Sequence, residues 1–195
     1  MRCSMILVAG ALLLGARGST AAQASLSTHC VPQRASGLAE RESPYDSLKI
    51  NIGSQQAMLC YGRPSAKGAH MIGGPVVAFG KLWRMGANEP TILHIAFPSM
   101  IAGIHVEPGS YSIYSVPGPA EWEIIINRSI TQWGSENRYT DAIKAQEVGR
   151  GKVRSETIGT HVETMLFRAE PAGARGADLI LEWEKTRVRI PIRMM

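Results

Sequence analysis

The chain has 195 residues, a net charge of +5 at pH 7, 45% hydrophobic residues and 19% charged ones. That length suits one domain with a core of its own. The mild positive charge is scattered among acids, without the concentrated basic patch that binding to nucleic acid or a membrane surface needs.

Residues 1–24 read as a secretory signal peptide. Arg2 makes a positive start, Met5 to Leu14 an apolar core too short to span a bilayer, and Ala22-Gln23-Ala24 a small-residue cleavage pattern. Cleavage after Ala22 is the close alternative. Cys30 follows Ser-Thr-His rather than a lipobox, so a lipid anchor is not expected. The leader carries two basic residues and no acid, so cutting after Ala24 leaves 171 residues and lowers the charge from +5 to +3. No later run is apolar enough to form a transmembrane helix. The expected product is secreted or periplasmic. It keeps Cys30 and Cys60, and two cysteines in an oxidising compartment invite a disulfide. A buried free Cys60 with a loose Cys30 is the alternative that sequence leaves open.

Residues 25–42 are polar, carry Pro32 and Gly37, and predict a flexible N-terminal arm ahead of a single domain over 43–195. In "SLKINIG" Leu48, Ile50 and Ile52 alternate with polar neighbours, the period of a half-buried strand. Gly53 to Gln56 makes a turn and "AMLCYG" the returning strand. Between Arg63 and Pro90 glycines and prolines are too frequent for long regular elements, which predicts one long Gly-rich loop with a short apolar insert, Pro75 to Phe79. "TILHIAF" resumes the strands, Ile101 to Val106 folds back around Gly103, and "SYSIYSV" and "EWEIIIN" flank the turn Pro117-Gly118-Pro119. Arg128 to Lys152 is polar with a helical hint in "TDAIKAQEV". "HVETMLFRA", "ADLILEWE" and "RVRIPIR" predict three closing strands. Many short strands with turn signals and almost no amphipathic helix imply an all-β fold, an antiparallel β-sandwich of jelly-roll type with a short helical or irregular insert.

The chain has no nucleophile elbow, Walker loop, dinucleotide fingerprint or zinc-protease motif, so no cofactor is expected. Its five histidines have no ligand spacing. His94 and His105, placed on strands expected to be neighbours, are the best metal candidates, and exposed or core-satisfied histidines are the favoured reading, so no metal is expected. "NRS" at Asn127 matches a glycosylation sequon, a frequent accident at a strand end.

The distinctive chemistry lies in the Gly-rich region. "CYGRPSAKG" offers Tyr61, Arg63, Ser65 and Lys67, and "KLWRMGANE" offers Trp83, Arg84, Asn88 and Glu89. Aromatic faces, guanidinium forks, an amide and a carboxylate are what sites for sugars or small carboxylates use. The same residues suit scaffolding: Arg84 and Glu89 can pair to hold a loop poor in ladder hydrogen bonds, and Trp83 can cap the core. Trp133, beside Gly134, is a lid candidate over this loop or an anchor of its own. Trp122 and Trp183 lie in strands, where aromatics usually pack.

Taken together, "SPYDSL", "YGRPSAKG", "GKLWRMGANEPT", "PGSYSIYSVPG", "EWEIIIN", "QWG" and "LILEWEKTRVRIPI" resemble, in collinear order from about Ser43 onward, a family of secreted bacterial proteins catalogued as domain of unknown function 2911. The resemblance implies an exported, single-domain, mostly β protein and supplies no activity. Tyr61, Gly62, Arg63, Pro64, Gly68, Trp83, Arg84, Gly86, Ala87, Asn88 and Glu89 occupy its motif positions. Ala69 stands where the family usually has a basic residue, and Ala78-Phe79 where it has Pro-Tyr.

Three functions follow as expectations. The first is a small polar ligand, such as a saccharide, bound in a cleft walled by the YGRP and WRMGANE segments, with no nucleic acid involved. The second is a hydrolase using Glu89 as general base, for which Glu136, Asp141 and Glu182 are the available second carboxylates. The third is an envelope interaction module without a pocket. Oligomeric state is left open.

Overall fold

The structure, a computed structural model, describes residues 29–195. The expected signal peptide and the first residues of the arm lie outside the described residues. From Tyr45 onward the regular structure is almost wholly antiparallel sheet. β1 (Tyr45–Ile52) and β2 (Gln55–Gly62) form the expected hairpin, whose two-residue turn places Gly53 at φ 59°, the left-handed geometry that such turns require. β3 (Thr91–Ile95) follows the long loop, and β4 (Ser99–Ile101) and β5 (Ile104–Val106) fold back around Gly103. β6 (Gly109–Val116) and β7 (Glu121–Asn127) make the next hairpin. A 3-10 turn (Glu136–Arg138) and the one-turn helix α1 (Asp141–Lys144) are the whole helical insert.

The closing segment differs from expectation. In place of three strands there are two long ones, β8 (Glu147–Pro171) and β9 (Gly176–Met194). "ADLILEWE" and "RVRIPIR" are one strand, kinked at Glu184, whose φ is 52°.

The strand order is β1-β2-β3-β6-β7-β8-β9-β4-β5, a meander with the β4–β5 hairpin displaced to the far edge. β8 serves two layers. Up to Arg154 it pairs with β7, and from Ser155 it pairs with β9, so the ribbon turns a corner on a strand that switches sheets. β1 then approaches β8 and β9, and β5 approaches β8. Between the layers lies the main core, with Ile50, Ile52, Leu59, Leu93, Ile113, Ile124, Leu181 and Ile190 among its members. Three indoles sit in it: Trp83 stacks on Trp183 at 6.0 Å and meets Trp122 edge-on at 5.9 Å.

The first layer is covered on its other face too. Met58, Cys60, Ile92, Tyr114 and Ile125 are buried yet lie outside the main core. Tyr139, from the irregular segment before β8, packs edge-on against Tyr114 at 4.8 Å, and a disulfide joins Cys30 of the arm to Cys60 of β2, Cα atoms 5.5 Å apart. Covering on both sides is why "AMLCYG" and "EIIIN" read as continuous apolar runs rather than strict alternation. Among the described residues no helix is long and apolar enough to cross a membrane.

Candidate functional site

Glu89 has no solvent exposure, and a carboxylate is stable in such a place only when paired. Arg41 Nη1 donates to its two oxygens at 3.2 and 3.0 Å, and the Gln33 N–H donates to Oε1 at 3.2 Å. Arg41 is itself buried, its side chain 8% exposed, and its Nη2 donates to the Arg34 carbonyl at 2.7 Å. Trp133 completes the cluster, with the guanidinium carbons of Arg34 and Arg41 lying 4.2 and 5.2 Å from its ring centroid. Gln33 Nε2 donates to the Ile130 carbonyl, and the Gly134 N–H to the Asn88 carbonyl. The arm, the Trp133 segment and the Gly-rich loop are thus fastened together around one carboxylate. Burial, and then the charge of Glu89, push the nearby Tyr45 phenol up to about 12 against the opposing pull of Arg41.

The other expected site residues also have partners within the protein, although the buried Nε of Arg84 has none. Tyr61 is 2% exposed; its hydroxyl accepts the Phe167 N–H at 3.2 Å, and burial raises its pKa. Trp83 is in the indole cluster. Arg63 donates to Asp46 Oδ2 at 3.1 Å and to the Met165 carbonyl at 3.2 Å. Arg84 donates to Glu136 Oε1 at 2.6 Å, and its backbone N–H reaches the same oxygen at 3.2 Å. Asn88 holds φ 67° and donates to the Ser43 carbonyl at 3.4 Å. The two motifs do meet, but through backbone. Ala87 N–H donates to Gly62 O at 3.3 Å, and a Cβ on Gly62 would stand 2.2 Å from the Ala87 carbonyl oxygen. Only glycine permits that approach.

So these six side chains do not converge on a common open cleft. Each is held by a neighbour, because a loop poor in ladder bonds borrows its order from ion pairs and buried rings. Glu89, under a guanidinium and sealed from water, is not placed to act as a general base. Glu136 is engaged by Arg84, Glu182 by Arg168 and Arg187, and neither shares a partner with Glu89. Asp141 opens α1.

Open space lies on either side of the segment that follows Pro64. Ala69 and Met71 face a cleft of about 360 Å³, bordered also by Glu42, Ser43, Ser65 and Lys67. His70 and Ile72 face a second cleft of about 220 Å³, shared with His161, Glu184, Lys185 and Thr186. Two irregularities build this second cleft. Between the pairs Thr157↔Thr186 and Val162↔Glu184, β8 advances five residues while β9 advances two, and the bulge carries His161 to the rim. Opposite it, Glu184 occupies left-handed backbone that costs a non-glycine residue about 1–2 kcal/mol. Its Oε2 accepts the Ile72 N–H at 2.7 Å and its Oε1 stands 3.5 Å from His70 Nδ1. His161 Nε2 lies 3.2 Å from Glu163, which also takes the Lys67 N–H at 2.6 Å. The Lys67 bond, then His161, holds the Glu163 carboxyl below its ordinary value. Sequence reasoning missed Glu184, whose only signal was the charged interruption "EWEKTR" between two apolar runs, and passed over His161 with the other histidines for want of ligand spacing.

His94 and His105 are not on neighbouring strands: β3 pairs with β2 and β6, while β5 pairs with β4. His94 Nδ1 shares a 2.7 Å hydrogen bond with Ser110 Oγ, and His105 Nε2 lies 3.5 Å from Glu107. Among the described residues no group of three or more His, Cys, Asp or Glu is placed to hold a metal. Burial holds the His94 pKa below its ordinary 6.5. The unfolded chain therefore takes up the proton first, so the contribution of His94 to stability is complete above pH 6.5 and is lost as pH falls below it. Urea midpoints at pH 7.5 and 5.5 test this: His94→Gln is expected to flatten the fall between them, and an unchanged slope would refute it.

A family model described as "Protein of unknown function (DUF2911)" matches residues 43–192. No curated protein and no solved structure matches the chain.

Proposed function

We propose, from the premise that the chain belongs to the DUF2911 family, that it is an exported module holding a small polar ligand, such as a saccharide, beside the segment that follows Pro64. The carrying observation is Glu184. A strand position held at φ 52° would cost glycine nothing, yet a glutamate stands there with one oxygen fixed by the Ile72 N–H and the other turned toward His70 and an open cleft. Strain maintained at the mouth of a cavity is a mark of function. A carboxylate, two imidazoles, an ammonium and a hydroxyl in 220 Å³ are the donors and acceptors that a polyol's hydroxyls require. In this reading the residues of the YGRP and WRMGANE motifs set the frame rather than touch the ligand. The disulfide supports a place outside the reducing cytoplasm.

The test is calorimetric titration with a panel of neutral mono- and disaccharides, using the wild type, His70→Ala and Glu184→Gly. Glycine at 184 relieves the backbone strain but forfeits the bond to Ile72, a gain and a loss of about 1–2 kcal/mol each. The melting temperature is therefore expected to stay within about 4 °C, while binding is lost. Binding that survives both substitutions, or no binding by any sugar of the panel, would overturn the proposal.

A further inference from the structure

A separate cavity opens where β8 and β9 part company. The two strands pair as far as Ser155↔Val188; beyond that point β8 runs on beside β7, while β9 joins β4 from Ile192. The fork so formed encloses about 350 Å³. Residues 152, 154 and 156 of β8 alternate outward, as do 189, 191 and 193 of β9, and these six border the space. Continuing the ladder one step past Ser155↔Val188 would set Arg154 opposite Arg189, a like-charged arrangement that costs stability.

The strands part before that pairing, and the surrounding acids are shared unevenly among the basic residues of the fork. Asp178 takes Arg189 at 3.0 Å and Arg193 at 2.7 Å, and Glu170 takes Arg189 again at 2.8 Å. Glu121 is the cross-strand neighbour of Arg154, but it pairs with Lys152 instead, at 2.9 Å. Arg154 is exposed and its side chain has no hydrogen bond or ion pair among the described residues. Glu156, also at the rim, faces Arg187, which is committed to Glu182. Arg154, exposed and without a partner among the described residues, therefore borders a gap that two further arginines and a lysine also border.

We propose that the fork is a binding site for an oxyanion group, phosphate, sulfate or carboxylate, carried by a small ligand. A planar guanidinium offers paired N–H donors matched to two oxygens of such a group, and Arg154 has them unspent. Arg189 is already taken by Glu170 and Asp178, so Arg154 would be the principal donor. The site shares no bordering residue with the cleft at Glu184, which the β8 bulge builds.

The experiment is NMR titration of the full chain with inorganic phosphate, sulfate and galacturonate in low-salt buffer. Arg138→Gln serves as a charge-matched control, since Arg138 is exposed on the 3-10 turn away from the fork. At least one oxyanion is expected to shift the resonances of 152–156 and 189–193, with the affinity falling tenfold or more in Arg154→Gln and unchanged in Arg138→Gln. Arg193→Gln should weaken binding in the same direction. Free phosphate binding as tightly as galacturonate would place recognition in the oxyanion alone, and tighter galacturonate would add the sugar ring; either supports the site. Equal weakening in the control, or no shift with any of the three, would overturn it. So would an Arg154→Gln protein that self-associates while its oxyanion binding is intact, because Arg154 would then only guard an open strand edge.

Discussion

Replacing Arg41 by alanine is expected to cost about 3–5 kcal/mol, the range for breaking a buried ion pair by deleting one partner. Glu89, without exposure, would keep only the Gln33 N–H, while the arm would lose the bond from Arg41 to Arg34 and the contact with Trp133. For a chain of this size that loss lowers the melting temperature by about 10 °C or more. Denaturant melts measure the loss. A double variant with apolar residues of similar volume, Arg41→Met with Glu89→Leu, should recover much of the stability, because desolvating two charges offsets most of what their pairing returns. A single-variant loss below about 1 kcal/mol would mean the pair is ornamental.

The second large effect is expected from the disulfide. Cys30 and Cys60 are 30 residues apart, and closing such a loop stabilises the folded state by about 3–4 kcal/mol in the chain-entropy account. Cys30→Ser with Cys60→Ser should therefore lower the urea midpoint by about as much as Arg41→Ala. The two losses should not add. Both act by releasing the arm from the outer face of β2 and from Glu89, so the combined variant is expected to fall short of the sum by more than 1 kcal/mol, the behaviour of sites that share an element. Strict additivity would show that the arm is held at each point independently.

Much of the fold was legible because its strands obey simple periods. β1 alternates, and the runs of β2 and β7 are apolar on both faces because the arm and the Tyr139 segment cover one of them. The first part of β8 was not legible, and the reason is local. In "GRGKVRSE" the outward positions are charged, as expected of an edge, but two inward positions are Gly149 and Gly151 instead of aliphatics. A Cβ on Gly151 would stand 2.0 Å from the Ala102 carbonyl oxygen, and one on Gly149 2.9 Å from Ile104. The β4–β5 hairpin leaves room for nothing larger, so the alternation that marks a strand was present with its apolar letters missing. β9 was divided in two for a different reason: the left-handed Glu184 sits in a charged stretch that resembles a turn.

The candidate site was harder still. "YGRP" and "WRMGANE" announce an ordered, chemically rich loop, but their partners lie elsewhere in sequence. Arg41 is 48 residues from Glu89 and Glu136 is 52 from Arg84. Whether a guanidinium faces a ligand or a distant carboxylate is a tertiary property, and no local pattern encodes it. The same holds for the clefts, where His70, His161 and Glu184 come from a loop and two irregular strands.

The placement of the four indoles gives the protein an internal pair of optical reporters. Trp83 touches both Trp122 and Trp183 between the layers, so their coupled near-ultraviolet signal survives only while the two sheets stay face to face. Trp133 lies apart, under the guanidinium groups of Arg34 and Arg41 contributed by the arm. Detaching the arm would expose one emitter to water and spare the other three, so the order in which the molecule comes undone can be read by light alone, without attaching a dye.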